Sequence, residues 1–182
     1  MTRIDLYIGG WQMSSWKVIN TEIGDILIQV SAIGVQKIQY FDRKSSIKFD
    51  NKSINCHSNF VDGNILNIAI SQLNEYFDGD REKFDLPFDL SGTDFQLKVW
   101  LELQSIAFGS TTTYGAIAAR IGHPQASRAV GGALNKNPIS IILPCHRVIG
   151  ATGLLTGYGG GIEKKIWLLE HEQENLVKGL VK

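Results

Sequence analysis

Apolar positions along the chain change their period near the middle. Residues 16–20, 25–31 and 34–40 form short apolar runs, the last alternating through Val35, Ile38 and Tyr40, with turn residues such as Gly24 and Gly34 between them. Alternation cut by turns predicts an antiparallel meander. Residues 42–60 are polar, rich in Lys, Ser and Asn, and read as a surface loop. From Asn64 to Phe77 apolar residues stand at 65, 66, 69, 70, 73, 76 and 77, the stripe of a helix, with Asp62 or Asn64 as its N-cap. Residues 78–90 are acidic, carry Gly79 and Pro87, and read as a linker between two domains, 1–90 and 92–182.

The second half is mainly helical by the same test. Helices are expected over 93–106, with Thr93 as cap, over 114–121 and over 126–135, the last two separated by Gly122-His123-Pro124. Two short helices on a tight turn predict a helix-turn-helix. The apolar, β-branched run 139–143 reads as a buried strand, residues 150–161 with six glycines as a loop, and 162–174 as the last helix.

Composition narrows the class. The 182 residues are 43% hydrophobic and 20% charged, as in an ordinary soluble protein. No run approaches the length of a membrane span, and residues 1–10 lack the layout of a secretory signal, so a cytoplasmic protein is expected, or a nuclear one in a eukaryote. The formal net charge is zero but uneven. Residues 1–90 hold 9 Lys and Arg against 12 Asp and Glu, and residues 91–182 hold 9 against 6. This mild basic bias permits nucleic-acid binding without demonstrating it.

The two cysteines, Cys56 and Cys145, are too few for a disulfide framework or a thiolate-rich zinc site. Cys145 stands in Pro144-Cys145-His146-Arg147-Val148, directly after the apolar run. The nucleophilic form of cysteine is the thiolate, so a proton acceptor beside it matters. Adjacent residues of an extended chain face opposite ways, so His146 reaches the sulfur only if the chain turns or a water carries the proton. A base needs an orienting group. In the last helix, at roughly 100° per residue, Ile162, Ile166 and Leu169 share a stripe, and Glu163, Glu170 and Glu174 point well away from it. Glu172 falls between the directions of Leu168 and Leu169, which makes it the orienting carboxylate. The plain alternative is a core cysteine beside a surface histidine. Cys56-His57 is the same dipeptide in a polar setting and reads as structural.

With these motifs in place, the segment from Phe95 to Glu172 closely resembles the O6-alkylguanine-DNA alkyltransferases, or methylated-DNA–protein-cysteine methyltransferases. The resemblance rests on Lys98-Val99-Trp100, Thr113-Tyr114-Gly115, Arg128-Ala129-Val130-Gly131, Asn137-Pro138, the five residues around Cys145, Tyr158, and Leu168-Leu169 with His171-Glu172. Over residues 1–90 it is one of layout only. It implies an α/β N-terminal domain, ribonuclease H-like with a small antiparallel sheet and a helix, and a mainly α C-terminal winged helix-turn-helix domain. It implies DNA repair by direct reversal: an alkylated guanine is flipped out of the duplex, and Cys145 takes its alkyl group once and irreversibly.

The resemblance also implies roles. His146 would deprotonate Cys145 through a water and Glu172 would hold the histidine. Asn137 would be a polar hinge bonded to the backbone near Cys145. Tyr114 would sit under the flipped nucleotide's phosphate and protonate the departing base, and Arg128 would fill the gap left in the stack. Tyr158 would pack on the base, with Val148 and Gly160 lining its pocket through backbone groups. Room beside Gly160 would admit groups as bulky as benzyl. Ala126, Ala129, Val130 and Ala133 share one helix face, which with Gly131 would let the helix backbone enter the DNA minor groove. Ala107 stands where the family often has Pro, so a looser turn before Tyr114 is expected.

No cofactor and no metal are expected, since Cys56 and His57 alone are too few for zinc. The partner is double-stranded DNA, not a membrane, and the protein is expected to be a monomer. A damage-binding module without chemistry, a helix-turn-helix regulator and a cysteine hydrolase are the competing readings. The first two leave Cys145, His146 and Glu172 together unexplained, and the third wants Cys and His on separate segments.

Overall fold

In the computed structural model, which describes residues 14–41, 62–155 and 157–180, the three short runs form the expected meander. Strands β1 (Ser14–Thr21), β2 (Gly24–Ser31) and β3 (Val35–Tyr40) pair antiparallel in sequence order. The first turn closes through Gly24 at φ +103, in the left-handed region where a side chain would be strained. Helix α1 (Asp62–Phe77) packs on β1 and β2 with Leu66, Ala69, Leu73 and Tyr76 buried, the spacing of one helical face. Cys56, His57 and the polar stretch 42–60 lie outside the described residues.

The acidic stretch 78–90 is irregular and is tied to the sheet. The Val35 N–H donates to the Pro87 carbonyl at 2.8 Å, the Asp89 N–H to the Val35 carbonyl at 2.9 Å, and Ser31 Oγ to Asp89 at 2.7 Å. Gly34 permits this approach, since a Cβ there would stand 2.5 Å from the Pro87 oxygen.

In the second half, a capping box between Thr93 and Gln96 starts α2 (Asp94–Glu102), which gives way to a 3-10 turn at Leu103–Ser105. Helices α3 (Tyr114–Arg120) and α4 (Ser127–Asn135) follow and pack on each other. Buried Trp100 of α2 donates its indole N–H to the Ala133 carbonyl at 2.8 Å, which fixes α4 against α2. The strand pair β4 (Thr112–Thr113) and β5 (Val148–Ile149), parallel in direction, sets the start of α3 beside the chain that follows Cys145. Helix α5 (Ile162–Leu180) closes the fold. Buried side chains of both halves make one continuous hydrophobic cluster.

The run 139–143 is not a strand. It is buried as expected, but the chain folds back on itself in tight turns. The Ile142 N–H donates to Ser140 across Ile141, whose φ is +73, and the Leu143 N–H donates to the Ile139 carbonyl. A γ-turn centred on a β-branched residue is uncommon and strained. Asn137 holds it in place: its side-chain amide donates to the Leu143 carbonyl at 2.8 Å and its oxygen accepts from the Ile139 N–H at 3.1 Å. A single bridge from Ile139 to Ile38 of β3 anchors the knot to the sheet. A buried apolar run and a buried strand share the same sequence pattern, so periodicity does not separate them.

Candidate active site

The knot of turns delivers Cys145 to the wall of a cavity. Pro144, at φ −79 and ψ 67, makes an inverse γ-turn, with the Cys145 N–H donating to Leu143, and Cys145–Arg147 then form one 3-10 turn. The chain therefore turns at the dipeptide, so Cys145 and His146 are not on opposite faces of a strand. Cys145 is 7% exposed and lines a cavity of about 370 Å³ with Tyr114, Gly131, Gly132, Leu134, Asn135, Gly157, Tyr158 and Gly159.

His146, Arg147 and Glu172 meet behind the sulfur. His146 Nε2 lies 2.7 Å from Glu172 Oε1, with both side chains fully buried. Arg147 Nε and Nη2 donate to the same carboxylate at 2.9 and 3.0 Å, Tyr76 Oη donates at 2.8 Å, and the Gly109 N–H at 3.0 Å. Burial pushes the Glu172 carboxyl upward, but the hydrogen bonds from His146 and Arg147 and the charge of Arg147 prevail and bring it down to about 2. An ionised carboxylate only accepts, so Nε2 of His146 carries the ring proton. That leaves Nδ1 as the basic nitrogen. Nδ1 is buried and has no hydrogen-bond partner among the described residues.

Burial lowers the His146 pKa and raises that of Cys145. Hydrogen bonding from Asn137 and the charge of Lys165 oppose the rise at the sulfur without cancelling it. Both groups are therefore neutral at rest, a thiol and an imidazole on adjacent residues. Lys165 is itself fully buried on α5 and donates to the Val148 carbonyl at 2.6 Å. Burial lowers its pKa, while Cys145 favours its charged form.

The other expected residues divide. Asn137 donates to the Leu143 carbonyl, two residues before Cys145. Tyr114 begins α3, capped by Thr113, and lines the cavity with Tyr158. Arg128 and Ala129 are exposed on the first turn of α4, and Ala126 and Gly131 are half-buried beside them. Val148 and Gly160 stand outside the cavity lining. The Val148 carbonyl is taken by Lys165, and the space beside Gly160 is filled: a Cβ there would overlap Cε2 and Cδ2 of Tyr40 and stand 2.9 Å from Tyr158 Cε1. The turn before Tyr114 is not loose despite Ala107. Arg147 Nη1 donates to the Ile106 carbonyl at 2.7 Å, and Gly109 is held by Glu172 on one side and Gln173 on the other.

Nothing in the sequence singles out Tyr76, Tyr40, Lys165 or Gly109. The first two read as core aromatics, and only the direction of their hydroxyls reveals more. Among the described residues, no group of His, Cys, Asp or Glu is placed to hold a metal ion, and no helix is long and apolar enough to cross a membrane.

The chain is similar to several known proteins. Residues 94–174 match the family described as 6-O-methylguanine DNA methyltransferase, DNA binding domain. A methylated-DNA–protein-cysteine methyltransferase of Methanosarcina barkeri is 43% identical over 161 residues, covering 88% of this chain and 98% of the relative. One of Mycobacterium bovis is 59% identical over 105 residues, covering 58% of this chain and 64% of the relative, just under two thirds of its length. The crystal structure of Mycobacterium tuberculosis OGT in complex with DNA superposes with a TM-score of 0.73 at 41% identity, covering 88% of this chain and 93% of that one.

Proposed function

The chain belongs to the methylated-DNA–protein-cysteine methyltransferase family, and from that membership we propose that it repairs DNA by moving an alkyl group from guanine onto its own Cys145. The observation that carries the proposal is Cys145 on the wall of a cavity that Tyr114 and Tyr158 also line, followed directly in the chain by His146 bonded to buried Glu172. The sulfur attacks the alkyl carbon in line. A sulfur–carbon bond forms and the carbon–oxygen bond to guanine breaks. The thiol proton passes through a water to Nδ1 of His146, while Tyr114 gives a proton to the departing base. The thioether has no route back, so each molecule acts once.

The target base lies inside a duplex and must be extruded to reach the cavity. Helices α3 and α4 serve as the helix-turn-helix, with α4 in the minor groove. Ala129 and Gly132 are exposed, and a Cβ at Gly132 would meet nothing within 4 Å, so the backbone is free to come close to a partner. Arg128 on the same first turn fills the stack. Such contacts read little of the base edges, so binding is largely independent of sequence. We assign residues 1–90 to a ribonuclease H-like α/β domain and 92–182 to a winged helix-turn-helix domain. The protein acts as a monomer and needs no cofactor, because the lesion carries its own activated group.

Incubation with a duplex bearing one methylated guanine, followed by intact mass, tests the proposal. The expected result is stoichiometric gain of one methyl group, abolished by Cys145→Ala. Tight duplex binding with unchanged mass would overturn it in favour of a damage-binding module.

A further inference from the structure

The cavity wall next to the sulfur is a loop with little stiffness of its own. Gly157, Tyr158 and Gly159 line it, and Gly160 and Gly161 follow. Glycines leave a backbone free to adopt many shapes, so the form of this wall depends on what stands behind it. Behind it stands Tyr40, the last residue of β3, which comes from the other half of the chain.

Tyr40 meets the loop at three points. Its hydroxyl lies 2.8 Å from the hydroxyl of Tyr158. The two rings pack edge to face, with centroids 6.0 Å apart. Its ring edge fills the space a side chain at 160 would need, which is a physical reason for glycine there. Lys164 Nζ sits over the Tyr40 ring at 5.2 Å and fixes it from α5. Burial raises the pKa of the Tyr40 hydroxyl despite the opposing hydrogen bond with Tyr158, so the hydroxyl keeps its proton for that bond. The ring therefore backs the wall that Tyr158 forms in the cavity shared with Cys145.

Resting on the alkyl-transfer reading, we infer that Tyr40 is a positioning residue that limits the size of the alkyl group the site accepts. An alkyl carbon in line with the sulfur leaves the remainder of its group pressed toward the wall. A methyl group fits without movement of the loop. A benzyl group needs the loop to recede, and Tyr40 blocks the recession. The acceptance of bulky groups expected from Gly160 alone is thereby reversed, because the room that glycine leaves is already occupied.

The test compares single-turnover transfer from duplexes carrying a methyl or a benzyl group on the guanine oxygen, using the full chain. The wild-type protein is expected to take methyl at least tenfold faster than benzyl. Tyr40→Ala is expected to raise the benzyl-to-methyl rate ratio at least tenfold, and Tyr40→Phe, which keeps the ring, to hold the wild-type ratio. Tyr40→Leu gives the same direction as Ala should the smaller variant fail to fold. A general loss of stability would slow both substrates and leave the ratio unmoved. Methyl transfer with no preference in the wild type, or with an unmoved ratio in the Ala and Leu variants, overturns the inference alone. Absence of any methyl transfer by the wild type overturns the alkyl-transfer reading, and the inference with it.

Discussion

Replacing Glu172 by Gln separates what this carboxylate does for the fold from what it does for the chemistry. Its two oxygens accept from Tyr76, His146, Arg147 and the Gly109 backbone, and it is fully buried. The amide has one acceptor where the carboxylate has two, and its NH2 faces groups that already donate. Arg147, 5% exposed, keeps its charge and loses its counter-ion. Breaking one side of a buried ion pair costs about 3–5 kcal/mol. For a chain of this size that lowers the midpoint of thermal unfolding by roughly 6–20 °C. The single-turnover rate should fall by a factor on the order of 10²–10⁴, the usual worth of a positioned general base. The double variant Arg147→Met with Glu172→Gln removes the stranded charge. It should recover at least half of the lost stability and none of the lost rate, since His146 still has no carboxylate to hold its Nε2 proton. Scanning calorimetry and quenched single-turnover transfer read the two effects independently. Transfer by the double variant at the wild-type rate would show that Glu172 is structural only, and a wild-type unfolding midpoint for Glu172→Gln would refute the energetic account of the network.

The Glu172 carboxyl sits at about 2 in the folded protein against an ordinary value of 4.5, so the folded state favours its ionised form. Its contribution is complete above the ordinary value and is lost as pH falls toward the folded one, a loss of up to about 3 kcal/mol between roughly pH 5 and pH 2. Denaturant titrations across that range should show the loss in the wild type and a flatter profile in Glu172→Gln; identical slopes would count against the assigned pKa. On α4, Ala129→Leu exchanges two good helix formers at an exposed position, so stability should stay within about 0.5 kcal/mol. Duplex affinity, measured by fluorescence anisotropy at fixed salt, should fall at least tenfold, and unchanged affinity would remove α4 from the proposed minor-groove contact.

The elements that positions of one period can specify are legible in the sequence: three strands and a helix in the first half, three short helices and a long one in the second. The knot at 139–143 is not, because its turns satisfy their own backbone groups and so tolerate an apolar run that looks like a strand. The only local hint is Asn137, whose amide is spent on Leu143 and Ile139. Tyr76 and Tyr40 are illegible for a different reason. Each fits an apolar pattern, and each reaches its partner across a gap in sequence of 96 and 118 residues. No local period contains such a pairing.

Helix α5 shows how Glu172 is singled out along an incomplete path. The stripe of Ile162, Ile166 and Leu169 marks the expected buried face, yet Ile162 and Ile166 are 41% and 37% exposed. The face that is fully buried carries Lys165, Leu168 and Glu172, spaced i, i+3 and i+7. Glu172 is legible because it lies beside Leu168, and Lys165 is not, because a lysine seldom belongs to a core. Two charges seven residues apart on one buried face are costly unless each has its own partner. Here each does: Lys165 takes the Val148 carbonyl and Glu172 takes His146 with Arg147. The helix therefore grips the segment 146–148 at both ends, with the Lys165 amine at the Val148 carbonyl and the Glu172 carboxylate at the His146 ring. In the proposed transfer that polarity would favour negative charge at Cys145 and positive charge at His146 as the proton leaves the thiol, and it is set before any substrate arrives.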